Sequence, residues 1–433
     1  MTRKPPRRRK PVVSGPAEIV ELTAIKLGSE GVGVGYHAGK PVLLPGVLPE
    51  ERVRAEIRAG AEAKVIERLN DSADRIVPAC RHFGVCGGCA LQHLRDEPYR
   101  QFKRNLIVDA LRRHGLGGIA VGEPIVSPPG ARRRASLEAT RRGDRLILGF
   151  HARASHEIVD LQACPVLVPA LEGLMAPLRK LLQACLKSGE RGTAIMTALE
   201  TGTDLGLHLP RAPDLRILEA LADFAAAQDL ARLWWRTDDL PASPAAINRP
   251  PEVWFGNIAA ELPMGGFLQA TNEGQAALIA LVTEALAGMK KIADLYAGAG
   301  TFSLPLATGG AKIHAVESDV GALAALAGAA RRARFGDLTV ERRDLDANPL
   351  LVTELSRFEA VVFDPPRAGA RAQAIELAKS DLKAAVAVSC NPDSFARDAA
   401  ILLGGGWRLE LVTPVDQFLW SPHLELVAAF SRG

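Results

Sequence analysis

Three polar side chains directly follow apolar, strand-like runs in the last third of the chain. Glu317 ends the run AKIHAVE, Asp364 follows EAVVF, and Cys390 follows AAVAVS. The carboxyl ends of parallel strands meet at one edge of a sheet, where open α/β folds bind small molecules. We therefore expect these side chains to lie close together. A thiolate in such a crevice is a candidate nucleophile, and a neighbouring carboxylate can hold or move a proton.

A glycine-rich turn follows another strand-like run. Gly298 and Gly300 lie in DLYAGAGTF, and a helix is predicted to begin near Thr301. Glycines let the backbone approach a ligand, and an acidic residue about twenty positions further on, here Glu317, can accept hydrogen bonds from ribose hydroxyls. NAD and S-adenosylmethionine both fit this pattern, and a plain tight turn also explains a G-x-G pair. Likewise, a lone cysteine such as Cys390 is often only a small buried side chain.

A second chemical signal is a group of cysteines. Cys80, Cys86 and Cys89 form a C-x5-C-x2-C pattern, and Cys164, which precedes a proline, is the candidate fourth ligand. Three cysteines so close together indicate a metal site. Four thiolates suit zinc or a [4Fe–4S] cluster, and the spacing alone does not separate the two. Cys185 lies in an apolar helical run and is interpreted as a core residue.

The secondary structure that must position these side chains is predicted to differ between parts of the chain. From Gly265 onward, strand-like and helical segments alternate, which predicts an α/β fold with a doubly wound, mostly parallel sheet. Residues 18–68 contain short β-type runs broken by glycine turns, which is typical of a small β-barrel. We therefore predict a basic arm (1–16), a β-barrel (17–69), a central α+β domain with the cysteines (70–262) and a Rossmann-like domain (263–433).

Composition and charge narrow the class of protein. The chain has 433 residues, 48% of them hydrophobic and 24% charged, which excludes a disordered chain and a disulfide-framed miniprotein. No apolar run has the length of a membrane helix, and the basic N-terminus lacks the apolar region of a secretory signal. A cytoplasmic protein with reduced thiols is therefore expected. Residues 1–145 carry a net charge of +11 and the remainder −7, which indicates a nucleic-acid partner or else a solvated basic surface.

Five motifs together resemble the bacterial RNA uracil-C5 methyltransferases, which form 5-methyluridine. They occur in this order: FLQATN (267–272), DLYAGAGTFSLPLA (294–307), DPPR (364–367), SCNPDSFARD (389–398) and SPHLE (421–425). The resemblance covers the chain after the basic arm, and residues 18–68 resemble the TRAM module of many members. The set is most similar to the 23S rRNA branch, which carries both this module and a [4Fe–4S] cluster. Zinc is the alternative metal.

The resemblance implies a covalent mechanism with S-adenosylmethionine as methyl donor. Cys390 would attack uracil C6, which makes C5 nucleophilic, and Glu425 would remove the C5 proton after methylation. Burial of Glu425 in the stretch LELVAAF would raise its pKa and suit it to this role. The motif LWSPHLE departs from many members, which have proline and threonine at Leu419 and Ser421. The family pattern carries a cofactor and uracil pocket onto six residues: Gln269, Tyr296, Thr301, Glu317, Asp344 and Asp364.

RNA is the expected partner of a chain that is expected to be monomeric. Clustered arginines and lysines would track phosphates, and aromatic side chains near them would stack on bases. The basic candidates are Arg7–Lys10, Arg100, Lys103, Arg104, Arg112, Arg113, Arg132–Arg134, Arg141 and Arg142, and the aromatic ones are Phe83, Tyr99, Phe102 and Phe267. The target uracil must leave its stack to reach Cys390.

Three alternatives remain open on the sequence. The same chemistry on a tRNA uridine is the nearest one. A non-catalytic RNA-binding protein with this fold is the second, although it leaves the combination of Cys390, Asp364 and Glu425 unexplained. An NAD-dependent oxidoreductase that passes electrons through a cluster is the third, and it gives no role to the SCNP, DPPR and FLQATN motifs.

Overall fold

The computed structural model describes residues 17–58 and 62–432, so the basic arm with Arg7–Lys10 lies outside the described residues. The chain forms two units. The first unit holds the described residues up to Gly84 together with Cys89–Phe102 and Trp420–Pro422, and the second holds Val85–Gly88, Lys103–Leu419 and the residues from His423 onward. Among the described residues, no helix is both long and apolar enough to cross a membrane.

The first unit contains two small antiparallel sheets. Their strand orders are β1-β5-β6 and β2-β3-β4, and the short β-type runs predicted for residues 18–68 are present. Gly33 is required here, because a Cβ at this position would lie 2.5 Å from the backbone oxygen of Val47. The strands are β1 (Glu18–Thr23), β2 (Lys26–Leu27), β3 (Gly33–His37), β4 (Lys40–Leu44), β5 (Arg52–Ile57) and β6 (Lys64–Arg68).

A long helix and two short strands come next in the chain. Helix α1 (Asp96–Arg113) has acidic residues in its first turn and arginines in its last, the arrangement that the helix dipole favours. Strands β7 (Ala120–Val121) and β8 (Ile125–Val126) are both short. The apolar face of α1 buries Ile107 against the core of the second unit.

The middle of the chain forms a separate sheet with the strand order β10-β9-β11-β12-β13-β14. Its pairs are antiparallel except for β12 and β13, which run parallel. The leucine-rich faces of α2 and α3 pack into the core that this sheet covers. The elements are β9 (Arg134–Arg142), β10 (Arg145–Gly149), α2 (Pro169–Cys185), β11 (Arg191–Leu199), β12 (Gly202–His208), α3 (Leu215–Ala227), β13 (Arg232–Arg236) and β14 (Ser243–Ile247).

The last part of the chain alternates strands and helices, as predicted. After the hairpin of β15 (Glu252–Phe255) and β16 (Ile258–Glu261), helix α4 (Asn272–Ala285) leads into the largest sheet. The remaining elements are β17 (Lys291–Leu295), α5 (Ser303–Thr308), β18 (Lys312–Glu317), α6 (Val320–Arg332), β19 (Leu338–Arg342), α7 (Val352–Leu355), β20 (Ala360–Phe363), α8 (Arg371–Ala378), β21 (Ala384–Ser389), α9 (Pro392–Gly404), β22 (Arg408–Asp416) and β23 (Glu425–Ser431).

The largest sheet has the order β19-β18-β17-β20-β21-β23-β22-β7, and β8 also pairs with β22. The strands from β17 to β21 run parallel. Strands β20 and β21 are apolar and almost entirely buried, as is usual where helices cover both faces of a sheet. Strand β23 is antiparallel to both β21 and β22. This reversal brings the start of β23 to the edge at which the parallel strands end.

A buried ion pair in the middle sheet allows a stability test. Arg232 donates to both carboxylate oxygens of Asp204, at 2.8 and 3.0 Å, and both side chains are buried. We expect Asp204→Ala to lower the free energy of unfolding by about 3–5 kcal/mol, because it leaves a buried guanidinium without its counterion. Urea denaturation measures this change. Asp229→Ala, which removes the solvent-exposed partner of Arg249, should have little effect, and equal losses in the two variants would contradict the prediction.

Candidate active site and RNA surface

The carboxyl edge of the large sheet collects the predicted site residues. Tyr296, Glu317, Asp364 and Cys390 lie at or directly after the ends of β17, β18, β20 and β21, which are paired in parallel. Glu425 is the first residue of the antiparallel β23, which pairs with the last residues of β21. The reversal of this one strand therefore brings a carboxyl group from the end of the chain beside the candidate nucleophile.

The glycine turn after β17 is tied to Glu317. One carboxylate oxygen of Glu317 accepts a hydrogen bond from the Gly298 N–H at 2.9 Å, and the other accepts from the Ser318 and Asp319 N–H groups at 2.7 and 2.8 Å. Gly300 has a φ of +104°, and a Cβ there would lie 2.6 Å from a side-chain carbon of Leu326. The turn therefore requires glycine and holds the carboxylate of Glu317 at the crevice.

The other predicted pocket residues lie around this turn. Tyr296, with a φ of +60°, donates from its hydroxyl to Asp346 at 3.1 Å. Asp344 lies on the exposed loop after β19 and accepts from the Asp346 N–H at 3.1 Å. Thr301 is half-buried just before α5. The loop after β19 is thus linked to the end of β17.

Several carboxyl groups at this edge have raised pKa values. Burial raises the pKa of Asp294 to about 7, although the Ser303 hydroxyl donates to it at 2.5 Å. Burial raises the pKa of Asp364 to about 7 as well. Burial and the nearby charge of Asp364 raise the pKa of Glu425 well above that of an ordinary glutamate. Such groups can exchange protons near neutral pH, which suits acid–base chemistry.

The environment of Cys390 keeps its sulfur protonated. Burial, followed by the negative charges of Glu425 and Asp364, raises the pKa of the thiol to about 11, whereas Arg367 acts in the opposite direction. At neutral pH this raised pKa favours the thiol over the thiolate that a nucleophile requires. Attack by this sulfur therefore requires that its proton be removed or that positive charge be brought to the site.

A fully buried ion pair secures the chain on both sides of the loop that precedes Glu425. The Lys103 ammonium lies 2.9 Å from the Asp416 carboxylate at the end of β22, and neither side chain is exposed. Lys103 also donates to the backbone carbonyl of His423, and Asp416 accepts from the Phe418 N–H at 3.0 Å. The predicted RNA contact through Lys103 is therefore wrong: this side chain orders the segment that carries the candidate base.

Gln269 lies beside this segment and not on a strand end. It is buried, and its side-chain oxygen accepts a hydrogen bond from the amide of Gln417 at 2.5 Å. Gln417 also hydrogen-bonds Glu425. Gln417 and Asp416 were not predicted from the sequence as functional residues, although both lie directly before the FLWSPHLE segment. A buried amide or ion pair has no distinctive sequence pattern.

A cavity of about 350 Å³ lies next to Gln269, and two arginine–aromatic pairs line it. The Arg134 guanidinium lies 5.6 Å from the ring centre of Phe267, and that of Arg132 lies 5.7 Å from the ring centre of Phe418. Phe267 is 66% exposed. Cations and exposed rings of this kind suit an RNA base and its phosphate.

Three other predicted RNA contacts are wrong because their side chains are buried. Arg133 is only 1% exposed; it donates to the Gln269 carbonyl at 3.2 Å and to Gln275 at 2.7 Å. Tyr99 and Phe102 are also buried, and the Tyr99 hydroxyl accepts from the Trp420 N–H at 2.8 Å. These side chains stabilise the fold and are not available to stack on RNA bases.

The predicted metal site is not confirmed. Within residues 17–58 and 62–432, no group of three or more His, Cys, Asp or Glu side chains is arranged to hold a metal ion. The thiols of Cys80 and Cys86 each accept a backbone N–H two residues further on, at 3.4 Å. Cys164 is buried and Cys89 is half-buried. Four cysteine thiols are the donor set that a [4Fe–4S] cluster requires.

Comparison with known proteins identifies the family. The tRNA (uracil-5-)-methyltransferase family model matches residues 257–432. An RNA methyltransferase of Brucella suis is 41% identical over 415 residues, which cover 95% of this chain and 98% of that protein. A 23S rRNA (uracil-C5)-methyltransferase of Halomonas elongata is 34% identical, with 94% of this chain and 88% of that protein covered. The chain belongs to the RNA uracil-C5 methyltransferase family.

A solved structure agrees with this assignment at the level of the fold. The tRNA (uracil-54, C5)-methyltransferase of Pyrococcus abyssi, solved with S-adenosyl-L-homocysteine, superposes with a TM-score of 0.73 at 22% identity and covers 95% of this chain and 100% of that one. The predictions of a Rossmann-like fold and of an S-adenosylmethionine-dependent RNA methyltransferase are confirmed. The oxidoreductase alternative is wrong.

The reactivity of Cys390 tests the electrostatics of the site. We expect its alkylation by iodoacetamide to accelerate with pH up to a midpoint near 11, whereas an ordinary thiol has a midpoint near 9.0. Glu425→Gln should shift the midpoint downward, because it removes a neighbouring negative charge. Peptide mass spectrometry measures the alkylated fraction of Cys390, with Cys390→Ala as the blank. A midpoint at or below 9.0 would show that the site stabilises the thiolate.

Proposed function

We propose that this enzyme methylates C5 of a specific uridine in 23S rRNA through a covalent adduct between Cys390 and uracil C6. The relative that is 34% identical over nearly the whole chain carries this RNA in its name. The observation that carries the covalent mechanism is the meeting of Cys390, Asp364 and Glu425 at one sheet edge, where their charges affect one another's pKa values. The alternative substrate is a tRNA uridine.

Cys390, Asp364 and Glu425 would each act in a separate step of the reaction. The Cys390 thiol loses its proton to the Asp364 carboxylate, and the sulfur attacks C6, which moves the C5–C6 electron pair to C5 and O4. S-adenosylmethionine supplies the methyl group as a sulfonium. C5 would take the methyl group as the S–CH3 bond breaks and the sulfonium leaves as a neutral thioether, and the Glu425 carboxylate would then remove the C5 proton. The electrons of that C–H bond restore the C5–C6 double bond and expel the Cys390 sulfur, which recovers its proton.

The cofactor pocket is proposed at the glycine turn. Glu317 would bind the ribose hydroxyls through the oxygen that accepts only the Gly298 N–H, because this oxygen keeps acceptor capacity. Tyr296, Thr301 and Asp344 surround the same turn, with Asp344 at the adenine edge. Asp364 and Gln269 would face the methionine end or the uracil.

The remaining domains are proposed to deliver the RNA. The arginine–aromatic cavity at Arg132, Arg134, Phe267 and Phe418 lies beside Gln269, so a nucleotide near the target uridine would bind there. The six short strands of residues 18–68 support the assignment of residues 17–69 to a TRAM-like module. Residues 70–262 form the proposed central domain and 263–433 the catalytic one.

We also propose that Cys80, Cys86, Cys89 and Cys164 hold a [4Fe–4S] cluster with a structural role. The C-x5-C-x2-C spacing supports it, as do the N–H···S bonds of Cys80 and Cys86, because such bonds stabilise cluster thiolates. The methyl transfer needs no electron, so no step of the reaction depends on this cluster.

Metal analysis of protein purified without oxygen tests the cluster. We expect about four iron and four sulfide per chain and a broad visible absorption that dithionite bleaches. Cys80→Ala should lose iron, whereas Cys185→Ala should keep it, because Cys185 is buried in the apolar face of α2. Zinc in place of iron, or equal iron in both variants, would contradict the proposal.

Covalent trapping tests the mechanism. RNA with 5-fluorouridine at the target has no C5 proton to lose, so the adduct should persist and migrate as a protein–RNA complex on a denaturing gel. Cys390→Ala should abolish this complex, and the matched Cys185→Ala should retain it. A complex that survives Cys390→Ala, or its absence from the wild-type reaction, would contradict the covalent mechanism.

The RNA substrate is tested in a strain that lacks this enzyme. Nucleoside mass spectrometry of separately purified 23S rRNA and tRNA should show loss of 5-methyluridine from 23S rRNA alone. Loss from tRNA alone would keep the chemistry and overturn the substrate.

A further inference from the structure

A pair of buried glutamines connects two parts of the active site. Gln417 and Gln269 are 1% and 2% exposed. Gln417 reaches Gln269 because α4 has a glycine at position 274, where a Cβ would lie only 2.7 Å from the Cβ of Gln417. The backbone of Gln269 is fixed independently, since its carbonyl accepts a hydrogen bond from Arg133 at 3.2 Å.

The hydrogen bonds determine the orientation of each side-chain amide, that is, the positions of its oxygen and its nitrogen. The Ala270 N–H can only donate, so the atom of Gln417 that lies 2.7 Å from it must be the oxygen. The nitrogen of Gln417 therefore faces Gln269, 2.5 Å from its side-chain atom. Because that nitrogen can only donate, the facing atom of Gln269 must be its oxygen.

With the two amides in this orientation, the Gln269 amide nitrogen is available to donate a hydrogen bond to the substrate. Within residues 17–58 and 62–432, no acceptor is hydrogen-bonded to this nitrogen, although Gln269 is only 2% exposed. The nitrogen itself is not fully buried, and Gln269 lines the arginine–aromatic cavity, so the nitrogen is accessible to a hydrogen-bond acceptor of the substrate.

The second N–H of Gln417 identifies the side of the uracil ring that meets Gln269. Gln417 also hydrogen-bonds Glu425, the proposed base for the C5 proton. One amide therefore lies between the group that acts on C5 and the group that presents a donor. C5 of the pyrimidine ring has two ring neighbours: C6, which the Cys390 sulfur would attack, and C4, which bears a carbonyl oxygen in uracil and an amino group in cytosine.

We propose that Gln417 is a specificity-determining positioning residue: it fixes the amide of Gln269 so that a donor faces O4 of the target base, which admits uracil and rejects cytosine. This inference rests on the proposed function. A cytosine amino group would meet the Gln269 N–H as donor against donor, and the fixed bond to Gln417 prevents the amide from reversing.

The test compares covalent trapping of RNA that carries 5-fluorouridine or 5-fluorocytidine at the target position. Gln417→Leu should reduce the ratio of the two trapping rates roughly tenfold, the effect of one hydrogen bond, because Gln269 is then free to reverse. Gln373→Leu is the matched control: Gln373 is a buried glutamine that bridges the N–H and carbonyl of Leu350. It should leave the ratio unchanged.

A double variant shows whether Gln417 acts through Gln269. In a Gln269→Met background, Gln417→Leu should no longer change the ratio. Thermal melting checks that each variant folds, and Gln417→Met, which better preserves side-chain length, replaces Gln417→Leu if the latter unfolds.

The outcomes separate this inference from the function on which it rests. No adduct of the wild-type protein with 5-fluorouridine RNA would contradict the proposed function. A wild-type adduct together with an unchanged ratio in Gln417→Leu, or an equal change in Gln373→Leu, would overturn the role of Gln417 alone.

Discussion

The active site depends on the buried ion pair between Lys103 and Asp416. Removing two charges from water is costly, and a pair of this kind persists only where further hydrogen bonds satisfy both groups. Here they do: Lys103 also donates to the His423 carbonyl, and Asp416 also accepts from the Phe418 N–H. The pair thus fixes the chain on both sides of the loop between β22 and β23. Because β23 begins at Glu425, this ion pair helps to fix the position of the proposed base.

The same edge of the sheet concentrates negative charge around a thiol. Burial, followed by the charges of Glu425 and Asp364, raises the pKa of Cys390 to about 11, and burial also raises the pKa values of both carboxyl groups. These surroundings favour the protonated form of the proposed nucleophile. A methyl donor with a positive charge would reverse this balance, since a cation favours both the thiolate and the carboxylates. In the proposed reaction, the charge of the methyl donor would therefore favour activation of the sulfur.

The features that could be predicted from the sequence are those that depend on a local pattern of residues. Apolar runs that end in Glu317, Asp364 and Cys390 located the strand ends, and the parallel sheet then placed them at one edge. The sequence could not show that Lys103 is buried, because a basic residue on a helix is usually solvated, and its partner lies 313 residues away. Gln417 was missed for a related reason: its role exists only through contacts with Gln269, Ala270 and Glu425.

The arginine run at the start of β9 shows how one short segment serves two purposes. Successive residues of an extended chain point to opposite sides. Arg133 therefore points inward and holds the Gln269 carbonyl, whereas Arg132 and Arg134 point outward and lie over Phe418 and Phe267. The backbone that presents these two guanidinium groups at the proposed RNA cavity is thus the backbone that positions Gln269. A shift of one residue in this segment would bury two cations and release Gln269, so the proposed RNA contact and the proposed base recognition depend on the same structural constraint.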